Sequence, residues 1–112
     1  MENRSQLVLV LVTAPDLDLG ERIANSLLDR NLAACVNILP DLISLYRWEG
    51  EVQRDPEVLL LIKTRLGLLR DQLIPAVQEL HPYQLPEIIA LPIIGGERNY
   101  LDWIIQETPE MD

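Results

Sequence analysis

Apolar positions in this chain form dense runs without alternation, separated by stretches that carry helical spacing. Residues 6 to 13, QLVLVLVT, are almost all Val or Leu and stop at APDLD, where Pro15 and two aspartates mark a turn. This run predicts a first strand. Asp18 stands three residues before Glu21, the capping-box spacing, and Ile23, Ala24, Leu27 and Leu28 follow at helical intervals up to Asn31. The spacing predicts a helix over 19–30, with Asn31 as a left-handed stop.

The segment AACVNILPDLISLYRW is rich in Val, Ile and Leu but broken by Pro40 and Asp41, which predicts a strand with a bulge or bend in its middle. Glu49 and Gly50 turn the chain, and EVQRDPEVLLLIKT returns as a long strand that carries Pro56. Two long strands, each with a proline, predict a hairpin whose outer half leaves the main sheet. Residues 66–80 place Leu66, Leu69, Leu73, Val77 and Leu80 on one stripe, a second helix kinked or divided at Pro75. PEIIALPII is a fourth strand, and NYLDWIIQET a short last helix with Leu101, Ile104 and Ile105 inward.

The order is strand, helix, strand, strand, helix, strand, then a terminal helix: an α+β chain on the ferredoxin-like split βαβ plan, with an antiparallel sheet. Two helices would cover one sheet face. The other would alternate to polar residues if it met water, yet LVLVLV, VLLLI and EIIALPII are apolar at both parities. An obligate oligomer that buries the open face is the expectation, with the hairpin as an arm onto a neighbour.

At 112 residues the chain is one domain, 1–112. Eighteen acidic against nine basic residues give a net charge of −9, which argues against nucleic acid as a partner, because phosphate binding needs clustered Lys and Arg. No apolar run approaches the roughly 20 residues of a membrane helix, and the opening lacks the pattern of a signal peptide. One cysteine, Cys35, excludes an intrachain disulfide and fits a reducing cytoplasm.

His81, the only histidine, sits where the second helix should end, so a capping role competes with a binding one for it. The constrained HPY turn pre-aims His81 and Tyr83, with Glu87 soon after. Lys63, the only lysine, ends the run EVLLLIKT, either as a snorkelling strand end or as a cation paired with Glu57 or Glu87. Cys35 reads first as a small buried hydrophobe, and one Cys with one His makes no metal motif within a chain. Tyr46 and Trp48 share a strand face with Ser44, while Tyr100 and Trp103 lie on the last helix; such aromatics suit a subunit interface or an aromatic-walled cleft. Neither a phosphate loop nor a nucleophile with a recognisable base is present, so nothing in the chain supports an enzyme.

Taken together, LAACVNI, SLYRWEGEV, EVLLLIKT, ELHPYQLPEIIALPI and YLDWI resemble, in order and over nearly the whole chain, the CutA divalent-cation tolerance family. The resemblance implies a homotrimer of ferredoxin-like subunits and a role in tolerance of, or response to, divalent metal ions such as copper. The positions it carries over are Cys35, Tyr46, Trp48, Glu57, Lys63, His81, Tyr83, Glu87, Tyr100 and Trp103. Pro56 and Pro75 depart from the family's pattern. Three functions compete: a trimer binding copper or another divalent cation through His81 and Cys35; a signalling or scaffold trimer, similar to the PII proteins, taking a small effector, an anionic one near Lys63, or a protein partner in clefts between subunits; and, last, a catalyst using His81, Glu87 and Lys63. No cofactor is required by any of the first two.

Overall fold

The computed structural model describes residues 6–110. β1 (Leu7–Ala14) leads into α1 (Leu17–Asp29), followed by the hairpin β2 (Cys35–Trp48) and β3 (Glu51–Arg65). After a 3-10 turn and a widened π-type turn come α2 (Ile74–Leu80), β4 (Ile88–Pro92) and α3 (Arg98–Glu107). The sheet order is β2-β3-β1-β4 with every pair antiparallel, the ferredoxin-like arrangement that the element order predicts.

Helix α1 starts two residues earlier than the capping-box spacing suggests. Asp16, not Asp18, is the N-cap: its backbone is extended and its carboxylate accepts the Leu19 N–H at 2.9 Å. Asp18 lies instead in the first turn, where its charge suits the helix dipole. The helix ends as expected at Asn31, with φ of 56°. Gly20 is what lets α1 lie close on the sheet, since a Cβ there would stand 3.1 Å from Val58 Cγ2.

Pro75 divides the second helical segment as predicted, but the disturbance lies ahead of it. An α-helix through Pro75 would set its ring against the carbonyl four residues back. The chain widens instead: the Ile74 N–H reaches the Leu69 carbonyl, and regular α2 begins there. β4 is shorter than the apolar run 86–94. In α3, Ile104 is fully buried, whereas Ile105 points outward and is 36% exposed, which corrects its inward placement. Arg65 fixes this helix to β3 by donating from Nη2 to the Ile105 carbonyl at 2.8 Å.

One face of the sheet carries Val8, Val10, Val12, Val58, Leu60 and Ile62, all buried beneath α1 and α2 with Ile23, Leu27, Leu73 and Val77. The opposite face carries Leu9, Leu11, Leu59 and Leu61, with Leu39 (49% exposed), Ile89 (52%) and Leu91 (45%) around them. Thus both faces are apolar: α1 and α2 cover the first, while α3 reaches only the end of the second, beside Arg65 and Cys35, and leaves the rest of it open.

The hairpin divides in the middle. β1 pairs with β3 only over Val58–Arg65, so Leu42–Trp48 and Glu51–Glu57 form a two-stranded arm beyond the sheet. Its tip is a two-residue turn in which Glu49 and Gly50 both have positive φ, 50° and 81°, the turn whose twist matches that of the strands. Between Leu39 and Leu42 the register slips: β2 spends Pro40 and Asp41 where β3 spends only Val58, and Asp41 takes φ of 61°. This bulge exchanges the two faces of β2. Cys35, Asn37 and Leu39 lie on the open face before it, and Leu42, Ser44, Tyr46 and Trp48 lie on that face after it.

Candidate functional site

The bulge decides which side chains meet at the base of the arm. With it, Tyr46 and Trp48 share the face of Asp55 and Glu57, and the Tyr46 hydroxyl donates to Asp55 Oδ2. That bond pushes the Tyr46 phenol above its ordinary pKa, with lost hydration adding to it. A parallel pair forms beside it. The loop after α2 brings Tyr83 over β3, and its hydroxyl donates to Glu57 Oε2 at 2.8 Å. Burial, then the bond to Glu57, hold the Tyr83 phenol far above the usual tyrosine range, so it stays a donor.

His81 holds that loop in place. It is the C-cap of α2, its N–H bonded to the Val77 carbonyl, and the residue is buried. Its Nε2–H donates to the Thr13 carbonyl at 2.7 Å and its Nδ1 accepts the Tyr83 N–H at 3.3 Å. The carbonyl can only accept, so this geometry selects the Nε2–H tautomer and engages both ring nitrogens. The His81 and Tyr83 rings pack 4.6 Å apart at 56°. Helix closure and site building are therefore one job here: the ring that ends α2 also aims Tyr83 at Glu57.

A cleft of about 600 Å³ lies between the arm and this loop, walled by Tyr46, Trp48, Asp55, Glu57, Tyr83 and Glu87. Five of the residues singled out from sequence line it, and His81 supports it from below. Lys63, Cys35, Tyr100 and Trp103 lie elsewhere. Cys35 is paired opposite Lys63 on β3, four residues from Leu59, the partner of Thr13 where His81 binds; strand rise makes that roughly 13 Å. The Lys63 ammonium donates to Asn37 Oδ1 and, at 3.4 Å, to the Leu61 carbonyl, so within the protomer it pairs with neither Glu57 nor Glu87. Tyr100 lies beside Cys35, and burial first, then the neighbouring thiol, push its phenol up. Its ring stacks 5.5 Å from Trp103. No group of three or more His, Cys, Asp or Glu side chains poised to hold a metal exists among the described residues.

Asp55 and Arg47 line the cleft without having been singled out from sequence. Asp55 was open to discovery: counting back from the Glu49–Gly50 turn sets Ser44 opposite Asp55 and makes Tyr46 its diagonal neighbour.

The strand order and this cleft define a ferredoxin-like α+β protein that carries its polar chemistry on a projecting hairpin. Residues 8–107 match the family model described as CutA1 divalent ion tolerance protein. The chain is 50% identical over 103 residues to "Protein CutA 1, chloroplastic" of Oryza sativa subsp. japonica, covering 92% of this chain and 58% of that protein. Over 100 residues it is also 50% identical to "Divalent-cation tolerance protein CutA" of Thermus thermophilus, covering 89% and 96%. The crystal structure of CutA1 from Oryza sativa superposes with a TM-score of 0.90 at 49% identity, over 95% of this chain and 96% of that one. For the Thermus thermophilus structure the values are 0.89 and 48%, over 92% and 99%. The chain belongs to the CutA family of divalent-cation tolerance proteins. It spans 58% and 60% of the length of the chloroplastic relatives from Oryza sativa and Arabidopsis thaliana.

Proposed function

We propose that this protein acts in tolerance of, or response to, divalent metal ions, copper among them, as a cytoplasmic homotrimer that receives its ligand in the cleft at the base of the arm. The trimer would cover the apolar sheet face that one protomer leaves open. The observation that carries the site is the excess of negative charge in the cleft: Asp55, Glu57 and Glu87 line it, and the one basic residue among its walls, Arg47, stands on the opposite face of β2 from Tyr46 and Trp48. Such a cleft draws cations. It is read as a binding site, not a catalytic one, in keeping with relatives named for tolerance and not for a reaction. Copper ligation by His81 and Cys35 would require His81 to give up a hydrogen bond and copies of the two residues to come from different subunits.

A copper titration of the full chain against a competing chelator, under reducing and oxidising conditions, tests this directly. Stoichiometric binding is expected, weakened by Glu57→Gln and unaffected by Cys35→Ser. Loss in Cys35→Ser or His81→Ala alone would move the metal to those side chains. A protein that never outcompetes a weak chelator would remove direct binding.

One observation favours a second reading, a signalling or scaffold trimer similar to the PII proteins. The cleft's volume lies in the range of small-molecule sites, roughly 300–1,000 Å³, and far exceeds what one hydrated ion fills. The anionic effector expected near Lys63 does not suit it, because Lys63 is not among its walls and the charge has the opposite sign.

A further inference from the structure

The most constrained group in the cleft is Glu57. Its residue is only 8% exposed, yet it forms part of the cleft wall. Its one hydrogen bond is the one that Tyr83 donates to Oε2, and no cation of the described chain pairs with it. Its second oxygen, Oε1, is uncommitted and open to the cleft, where a bound cation would pair with a carboxylate already held in place by Tyr83. Asp55 repeats the arrangement, with Oδ2 taken by the Tyr46 hydroxyl. In both pairs the phenol spends its proton on its own carboxylate and so is not free to serve as a metal ligand.

The rings themselves add a second preference. Tyr46, Trp48 and Tyr83 present aromatic surface beside these carboxylates in one cavity. Aromatic faces attract ammonium and guanidinium groups and stack on their apolar stems, but contribute nothing to a compact hydrated metal ion. Buried carboxylate, aromatic wall and volume agree on one ligand chemistry.

We propose that the cleft takes a small organic cation, an amine or guanidinium compound, whose charge sits against Glu57 and Asp55 and whose body lies on Tyr46, Trp48 and Tyr83. This rests on the reading of the cleft as a small-effector site and names the chemical class of that effector. Recognition would be selective by charge: a neutral molecule of equal length leaves Glu57 unpaired, and an anion is repelled.

Calorimetric titration of the full chain with putrescine, agmatine and choline, beside 1,4-butanediol and succinate as neutral and anionic counterparts, decides it. At least one of the cations is expected to bind stoichiometrically, and the two counterparts are not. Loss of a charge-assisted contact should weaken that binding about tenfold or more in Glu57→Gln. Trp48→Phe, which keeps an aromatic face, should weaken it less than Trp48→Ala, and a thermal melt of each variant checks that the arm is folded. Succinate or butanediol binding as well as putrescine, with sensitivity to Glu57→Gln, overturns the cationic class while the cleft stands as an effector site. No cation binding up to about millimolar concentration overturns the proposal, and copper binding to the same chain would then leave the metal reading alone.

Discussion

The two halves of the β2–β3 hairpin share strands but not the source of their order. In the inner half, Val58, Leu60, Ile62 and Thr64 are buried beneath the helices, and every second position faces the core. In the outer half, Leu45 is 68% and Val52 65% exposed, and each strand has only the other for company. An isolated two-stranded ribbon is marginal in water. The inner half thus owes its order to this chain's own core, while the arm depends on its turn, its polar pairs and whatever covers it. The side chains of the cleft sit where these two regimes meet.

The sharpest way to break that contrast is to remove apolar volume from each half in turn. Leu60→Ala should cost about 2–5 kcal/mol in chemical denaturation, because it opens a cavity in a close-packed core. Leu45→Ala should stay within about 0.5 kcal/mol under conditions where the chain is monomeric. Equal losses would mean that the arm is as fully packed as the sheet. His81→Ala comes next, at about 1–3 kcal/mol, since it strips a buried hydrogen bond from the Thr13 carbonyl; faster amide exchange over residues 82–87 would localise the effect to the loop.

Gly50→Ala is expected to cost about 1 kcal/mol, the strain of positive φ at the arm's tip, and to leave the inner half's exchange protection unchanged. The smallest effect is confined to alkaline pH. Tyr83 holds its proton more tightly in the fold than at the ordinary value of 10.0, so the unfolded chain releases that proton first. Above about pH 10 the unfolded state binds fewer protons, and the contribution of this bond to stability falls as pH rises. Below that pH it is fully present. Tyr83→Phe should flatten this part of the stability profile, and an unchanged slope would show that the phenol is not the group responsible.

Much of the fold could be read from residue types with few conformational options. Gly50, Asn31, Pro40 and Pro75 each marked a turn, stop, bulge or break that the backbone then adopted, because steric restriction acts locally. Choices between similar neighbours were less legible. Asp16 and Asp18 are chemically equal caps, and only the path of the chain out of β1 gave the role to Asp16. Ile104 and Ile105 are both apolar, and the orientation of α3, fixed by Arg65 from β3, sent one inward and the other out. The site was half legible for the same reason. Tyr46, Trp48, Glu57, Tyr83 and Glu87 meet in one cleft of the protomer, whereas Lys63, Cys35, Tyr100 and Trp103, grouped with them from sequence, lie outside its walls. Their separation follows from strand register, which residue identity does not display.

The bulge at Pro40–Asp41 has one more consequence. Side chains along a strand form a wave of period two, and a single added residue advances that wave by half a cycle. Everything beyond Asp41 is therefore out of phase with everything before it, and the cleft reads the shifted phase. Two residues inserted further along the arm would restore the same crest beside Glu57; one would present Ile43, Leu45 and Arg47 in place of Ser44, Tyr46 and Trp48. The arm can lengthen or shorten only in even steps if the cleft is to keep its walls.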